Sequence, residues 1–130
     1  MSDEEEHPKQ ARAQERTDLA EDRTVLANER TFAGWFRTGF AAVAIGLGFQ
    51  ALFLRMEPSW VPRAIATLFV CLGMFLFVAA ERRACKALSR LSPHQVKAFE
   101  HGRLRLMMIV ANVGAAALIA AMWLLPLKAP

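Results

Sequence analysis

Three long apolar stretches alternate with polar segments along the chain, and their lengths predict three membrane-spanning helices. Residues 32–54 contain one charge, Arg37, residues 61–80 contain only Arg63 near their start, and residues 106–127 contain none. About 20 apolar residues in a helix cross a hydrocarbon core of roughly 30 Å. A soluble bundle would keep a polar face on helices of this length, and these stretches have none. The sequence therefore predicts an all-α integral membrane protein with three transmembrane helices.

Turn and breaker residues predict where the helices begin and end. Residues 1–14 contain few apolar side chains and a proline, which predicts a disordered acidic tail. The three-helix transmembrane domain then covers residues 15–127, with helices at about 15–54, 62–91 and 93–125. Ser92, Pro93 and Gln95 are typical of a helix start, and Pro126 ends the third helix. Because no proline occurs between Lys9 and Glu57, we expect helix one to extend unbroken from the cytoplasm into the membrane.

Lysine and arginine predict the orientation, because they are enriched in cytoplasmic loops. Thirteen lie before or within the first span or between the second and third, and three lie in the first loop and the tail. The amino terminus should be cytoplasmic and the carboxyl terminus periplasmic or extracellular. The start, "MSDEEEHPKQ", lacks the apolar core of a cleavable signal, so the first span should direct insertion. The basic pI of 9.7 indicates contact with the bilayer and its anionic headgroups rather than with nucleic acid.

Arginine recurs every seventh residue near the amino terminus, each time followed by threonine, from Arg16-Thr17 to Arg37-Thr38. Positions seven apart share one face of a helix. Apart from Arg12, which is a neighbour of Arg16, the neighbours three and four residues away on that face are leucine, phenylalanine or small residues, and none is a carboxylate. The small ones form a ridge that would allow close approach of another helix: Ala20, Ala27, Gly34 and Ala41.

Arg37 lies inside the apolar boundary of the first span. The segment 40–54 is only about 22 Å long as a helix, so the span must begin near Trp35. A charge at that depth costs up to a few kcal/mol unless it reaches headgroups or a partner, and arginine binds carboxylate or phosphate bidentately. The hypothesis is an anion-binding face that comprises Arg23, Arg30, Arg37, Thr31 and Thr38. The two threonines either add hydroxyl donors to this face or bond back to carbonyls of their own helix. An ordinary solvated face is the alternative, and it suits Arg16 better than Arg37.

The segment "LANERTFAGWFRTG", residues 26–39, resembles the opening of the YidH-like family, known as domain of unknown function 202. The shared motif comprises Asn28, Glu29, Arg30, Thr31, Phe32, Trp35, Arg37, Thr38 and Gly39. Members are small bacterial inner-membrane (plasma-membrane) proteins with three helices, and the resemblance implies the same multi-pass location here. The block is also similar to the start of the membrane domain of the vacuolar transporter chaperone complex, which makes and translocates polyphosphate. That resemblance implies that Arg30 and Arg37 are counterparts of basic residues on its polyanion path. The chain has no polymerase domain, so polyphosphate synthesis is not carried over.

No residue pattern in the sequence indicates an enzyme, a metal site or a cofactor. His94 and His101 are seven apart with Glu100 beside His101, which is at most half a metal site and is typical of a polar cytoplasmic helix. Cys71 and Cys85 have no ligand or disulfide spacing. Three hypotheses remain open. The chain binds anions through its arginines, as a homo-oligomer; it is a non-catalytic scaffold or accessory subunit whose arginines pair with carboxylates of a membrane protein partner; or the arginines only anchor helix one to lipid phosphates.

Overall fold

The computed structural model describes residues 2–89 and 96–125, and over these ranges the chain is almost entirely helical. Helix α1 spans Ser2–Leu52, α2 spans Trp60–Ser89 and α3 spans Val96–Leu124. Each helix contains a segment long and apolar enough to cross a membrane. The prediction of an all-α protein with three transmembrane helices, the first of them long, is confirmed.

Helix α1 is longer than the sequence predicted. It begins at Ser2 and includes Pro8, whereas residues 1–14 were expected to form a disordered tail. Residues 9–16, "KQARAQER", consist of strong helix formers, and this propensity outweighs the lack of apolar residues on which the expectation rested. The helix then continues without a break past Asn28 and Gly34, as predicted.

The end of α1, the start of α2 and the end of α3 lie within two residues of the predicted positions, the usual uncertainty of a helix boundary. The predicted cap of helix three, Ser92 with Pro93 and Gln95, and its predicted stop at Pro126 lie outside the described residues.

Helices α1 and α2 approach each other through glycines. A Cβ added at Gly39 would lie 2.6 Å from Phe77 Cε1, and one added at Gly73 would lie 2.8 Å from the Gly39 carbonyl oxygen. A Cβ added at Gly46 would lie 2.9 Å from the Ala66 carbonyl oxygen. The backbones are therefore too close for any side chain at these positions. Small residues allow such contacts between membrane helices, where dispersion replaces the hydrophobic effect.

Aromatic rings fill the space around this contact. Phe36 and Phe40 each lie with their ring centroids 4.9 Å from that of Phe77, and Phe32 lies 4.6 Å from Phe36. Helix α3 packs mainly on α2, and its Ala115 joins the same buried cluster. The core thus lies between α1 and α2, and α3 covers it from the α2 side.

Candidate functional site

The arginine-threonine motif divides between two faces of α1. Phe32 is buried, Gly39 contacts Phe77, and the Asn28 side-chain amide donates a long hydrogen bond of 3.5 Å to the Ala84 carbonyl. These residues hold α1 against α2. The remaining polar members of the motif are exposed on the other sides of the helix: Glu29, Arg30, Thr31, Arg37 and Thr38.

The four arginines of the series, Arg16, Arg23, Arg30 and Arg37, are all exposed. Phe32 and Gly39, which contact α2, each follow an arginine by two residues, which is about 200° around a helix. The arginines therefore lie on the side of α1 away from α2, in a row with about 10 Å of rise between neighbours. We call this side, with the small residues beside the arginines, the arginine face.

The small-residue ridge of the arginine face has no partner within the described part of the chain. Ala20, Ala27 and Ala41 are exposed, and a Cβ added at Gly34 would meet nothing within 4 Å. Close approach to α2 uses a different ridge, through Gly39 and Gly46. Both ridges repeat every seven residues, so their spacing did not indicate which of them α2 contacts.

The threonines of the series bond back to their own helix. Each hydroxyl donates to the carbonyl four residues earlier, at 3.0 Å for Thr17, Thr31 and Thr38 and at 2.9 Å for Thr24. Of the two roles predicted for Thr31 and Thr38, this geometry favours the intrahelical bond. Their hydroxyl protons are engaged, so in this conformation the donors toward an anion on this face are those of the arginines.

Arg37 lies within the part of α1 that must cross the membrane. Helix α1 ends at Leu52, and the 15 residues after Arg37 rise about 22 Å, less than a hydrocarbon core of roughly 30 Å. A full span ending at Leu52 begins near Ala33, about one turn before Arg37. Because its neighbours three and four residues away are Ala33, Gly34, Phe40 and Ala41, its own helix supplies no counterion.

A further arginine, Arg83 of α2, contacts α1 on the side away from the arginine face, because Trp35 lies about 200° around α1 from Arg37. Its guanidinium carbon lies 4.9 Å from the ring centroid of Trp35, a cation–π contact. Trp35 also lines a shallow groove with Thr31, Gly34, Thr38 and Leu76. In the sequence, Arg83 is one of the basic residues between the second and third spans, and no pattern there sets it apart. Its stacking partner could not be found without the register of α1 against α2.

Other polar residues considered from the sequence show no site. Among the described residues, no group of three or more His, Cys, Asp or Glu side chains is placed to hold a metal ion. His94 and the side chain of His101 lie outside the described part. Cys71 and Cys85 are free, and the Cys85 thiol donates to a Glu81 carboxylate oxygen at 3.5 Å.

The comparisons with known proteins give one match. The family model "Domain of unknown function (DUF202)" matches residues 23–90, which is more than half of the chain. Comparisons with curated proteins and with solved structures gave no match. The matched range contains three of the four arginines, the glycine contact between α1 and α2, and Arg83. Helix α3 lies beyond it.

Proposed function

We propose, on the premise that this chain belongs to the DUF202 (YidH-like) family, that it is an anion-binding protein of the bacterial inner membrane. Membership of the family and three apolar helices make it a multi-pass membrane protein. In the proposal, the amino terminus is cytoplasmic, and the arginine face binds phosphoryl oxyanions through Arg23, Arg30 and Arg37. The anions are those of lipid phosphates or of a polyphosphate-like polyanion.

The observation that carries the proposal is the division of the motif between two faces. Asn28, Phe32 and Gly39 are accounted for by packing on α2. Arg30 and Arg37 make no contribution to that packing, because they lie about 200° around the helix from Phe32 and Gly39. An exposed arginine row that continues into the apolar part of a helix needs another explanation, and an anionic ligand is one.

Electrostatics favours an oxyanion as the ligand. Arg37 in an apolar environment is costly unless an opposite charge neutralises it. The planar guanidinium forms paired, charge-assisted hydrogen bonds to phosphate or carboxylate, which are about twice as strong as neutral ones. Arginines about 10 Å apart along one face match an extended ligand with many charges better than a single small ion.

The uncovered ridge supports a homo-oligomer as the form in which the anion binds. Gly34, Ala27 and Ala41 leave room for another helix to approach the arginine face. Copies related by a rotation axis would place this face of each α1 toward the axis. Arginines from several copies would then surround one anionic ligand in an environment protected from water, where their attraction to it is stronger.

Lysine variants of the purified protein test the proposal. We expect Arg37→Lys and Arg30→Lys to weaken polyphosphate binding about tenfold or more, because lysine keeps the charge but loses the planar pair of donors. Arg16→Lys, farther out on the same helix, is the matched control and should bind as the parent does. The proposal would be contradicted by equal affinity of all four proteins for polyphosphate and for anionic vesicles, at low and raised salt. That result would mean that the arginines only anchor α1 to lipid phosphates.

Cysteine cross-linking tests the oligomer separately. In a chain with Cys71→Ser and Cys85→Ser, we expect Ala41→Cys on the arginine face to form disulfide-linked dimers in the membrane. Val113→Cys, also exposed but on α3, is the control and should cross-link less. Failure of Ala41→Cys to link copies, while a different membrane protein is captured at that position, would favour the accessory-subunit alternative, in which the arginines pair with a partner's carboxylates.

A further inference from the structure

Helices α1 and α3 leave an open seam between them. Helix α3 packs mainly on α2, and three cavities follow one another along its α1 side. The first cavity, of about 230 Å³, and the second, of about 690 Å³, share Met107 in their linings. The second and the third, of about 250 Å³, share Leu118. We call the first cavity the mouth of the seam and the second its channel.

The mouth is polar on an apolar base. Asn28 and Glu29 of α1 and Arg103 of α3 line it together with Phe32 and Met107, among other apolar residues. Its two charged residues have opposite signs and come from different helices. The mouth lies at the level where the apolar stretches of α1 and α3 begin, after Thr31 and Arg105 respectively. This is the depth at which phospholipid headgroups meet the hydrocarbon core.

The channel has an apolar lining and runs about as deep as one leaflet. Its residues include Phe36, Phe40 and Phe77 on one side and Val110 and Gly114 on the other. From Met107 to Leu118, α3 rises about 16 Å, close to half of a hydrocarbon core of roughly 30 Å. A cavity that changes from charged to apolar at the membrane boundary has the polarity profile of a single lipid molecule.

We infer that the seam binds one phospholipid with a zwitterionic headgroup from the leaflet on the mouth side. An acyl chain occupies the channel against the phenylalanine rings. The phosphate accepts hydrogen bonds from the Arg103 guanidinium, and the headgroup ammonium donates to the Glu29 carboxylate. The two charges in the mouth favour phosphatidylethanolamine, which carries both complementary groups. Phosphatidylglycerol would leave Glu29 facing only negative charge. This site lies on a different side of α1 from the arginine face, so the inference does not depend on the proposed function and is tested separately from it.

Filling the channel tests the acyl-chain site. A Cβ added at Gly114 meets nothing within 4 Å and Gly114 lines the channel, so the side chain of Gly114→Leu should occupy part of the channel. Gly48→Leu is the matched control, because Gly48 is equally open and lines none of the three cavities. After purification in mild detergent from an equimolar mixture of phosphatidylethanolamine and phosphatidylglycerol, native mass spectrometry counts the lipids retained. We expect the parent and Gly48→Leu to retain one lipid per chain and Gly114→Leu to retain about tenfold less.

Charge variants test the headgroup contacts. Arg103→Gln should lower retention of phosphatidylethanolamine about tenfold, because it removes a charge-assisted hydrogen bond to the phosphate. Arg105→Gln is the control, because Arg105 lies about 200° around α3 from Arg103, within electrostatic range of Cys85 on α2. Glu29→Gln should keep lipid binding but lose the preference for phosphatidylethanolamine over phosphatidylglycerol.

Two results would overturn the inference. One is equal lipid retention by the parent, Gly114→Leu and Gly48→Leu, with helix content by circular dichroism showing that all three are folded. The other is an unchanged lipid count in Gly114→Leu together with a changed oligomeric state, which would mean that a helix of a second copy occupies the seam.

Discussion

The glycines of α1 and α2 separate the contacting surface from the free surface, residue by residue. Gly39, Gly46 and Gly73 lie where backbone approaches backbone, and Gly34 and Gly48 face open space. The same residue type therefore has different roles a few positions apart. In the first group the absence of a side chain permits the α1–α2 contact, and in the second it leaves a surface that nothing in the described chain covers.

Alanine substitutions at Gly73 and Gly48 should have different effects on stability. A Cβ at Gly73 would lie 2.6 Å from Val43 Cγ2 and 2.8 Å from the Gly39 carbonyl oxygen, so Gly73→Ala must push the helices apart. We expect a loss of about 1–3 kcal/mol, as for other overpacked cores. Gly48→Ala has free space and should be neutral or up to about 1 kcal/mol more stable, because alanine favours the helix. Thermal unfolding of both variants in one detergent measures this, and equal midpoints would contradict the glycine contact.

At the scale of the helices, the periodicity of the sequence predicted which residues share a face of α1 but not which face packs against α2. The seven-residue spacing placed the arginines correctly on one side of a continuous α1. It also indicated a small-residue ridge beside them for helix contact, whereas α2 packs on the opposite ridge. Both ridges carry Gly or Ala at the same period. What distinguishes them is their fit to α2. The Phe77 ring of α2 packs against Gly39 of α1, and the Val43 side chain of α1 packs against Gly73 of α2. The residue pattern of a single helix contains no information about these contacts.

The first turns of α1 should exchange their amide protons faster than the rest of the helix. From Glu6 to Ala20 every residue is exposed, whereas buried residues recur from Phe32 to Gln50. Without tertiary contacts, an amphipathic or polar helix is only marginally stable in water. Hydrogen exchange in detergent micelles should show rapid exchange before about Glu21 and strong protection after Phe32. Deletion of residues 2–14 should accordingly shift the unfolding free energy by less than about 0.5 kcal/mol. Uniform protection along α1 would indicate a partner on its amino-terminal half.

For the whole molecule, the apolar lengths were sufficient to predict the number of helices and the membrane class. They did not predict how α3 sits, because apolar stretches of similar length can pack in several orders. The α1–α3 seam, the contact of Arg83 with Trp35 and the hydrogen bond from Trp123 Nε1 to Thr67 at 3.1 Å all depend on that arrangement. The arginine face could be predicted because it depends on one helix alone.

Orientation in the membrane is a prediction for the whole chain. Thirteen of the 16 basic residues lie on the side of the amino terminus and of the second connection, which favours that side as cytoplasmic. A carboxyl-terminal fusion to alkaline phosphatase, which is active only outside the cytoplasm, should be active. The same fusion to a fluorescent protein that matures only in the cytoplasm should be dark. The reverse pair of results would place the arginine face on the outer side.

The length of α1 determines how far each residue of the arginine face lies from the membrane. Thirty residues precede Phe32 in this helix, and they rise about 45 Å, more than the hydrocarbon core is thick. With the span beginning near Phe32, the amino-terminal half of α1 is a rod that projects from the bilayer. It holds Arg16 and Arg23 at about 24 Å and about 14 Å from the hydrocarbon boundary along the helix axis, with Arg30 next to that boundary. A long anion approaching from solution would therefore meet the arginines one after another before it reached the membrane.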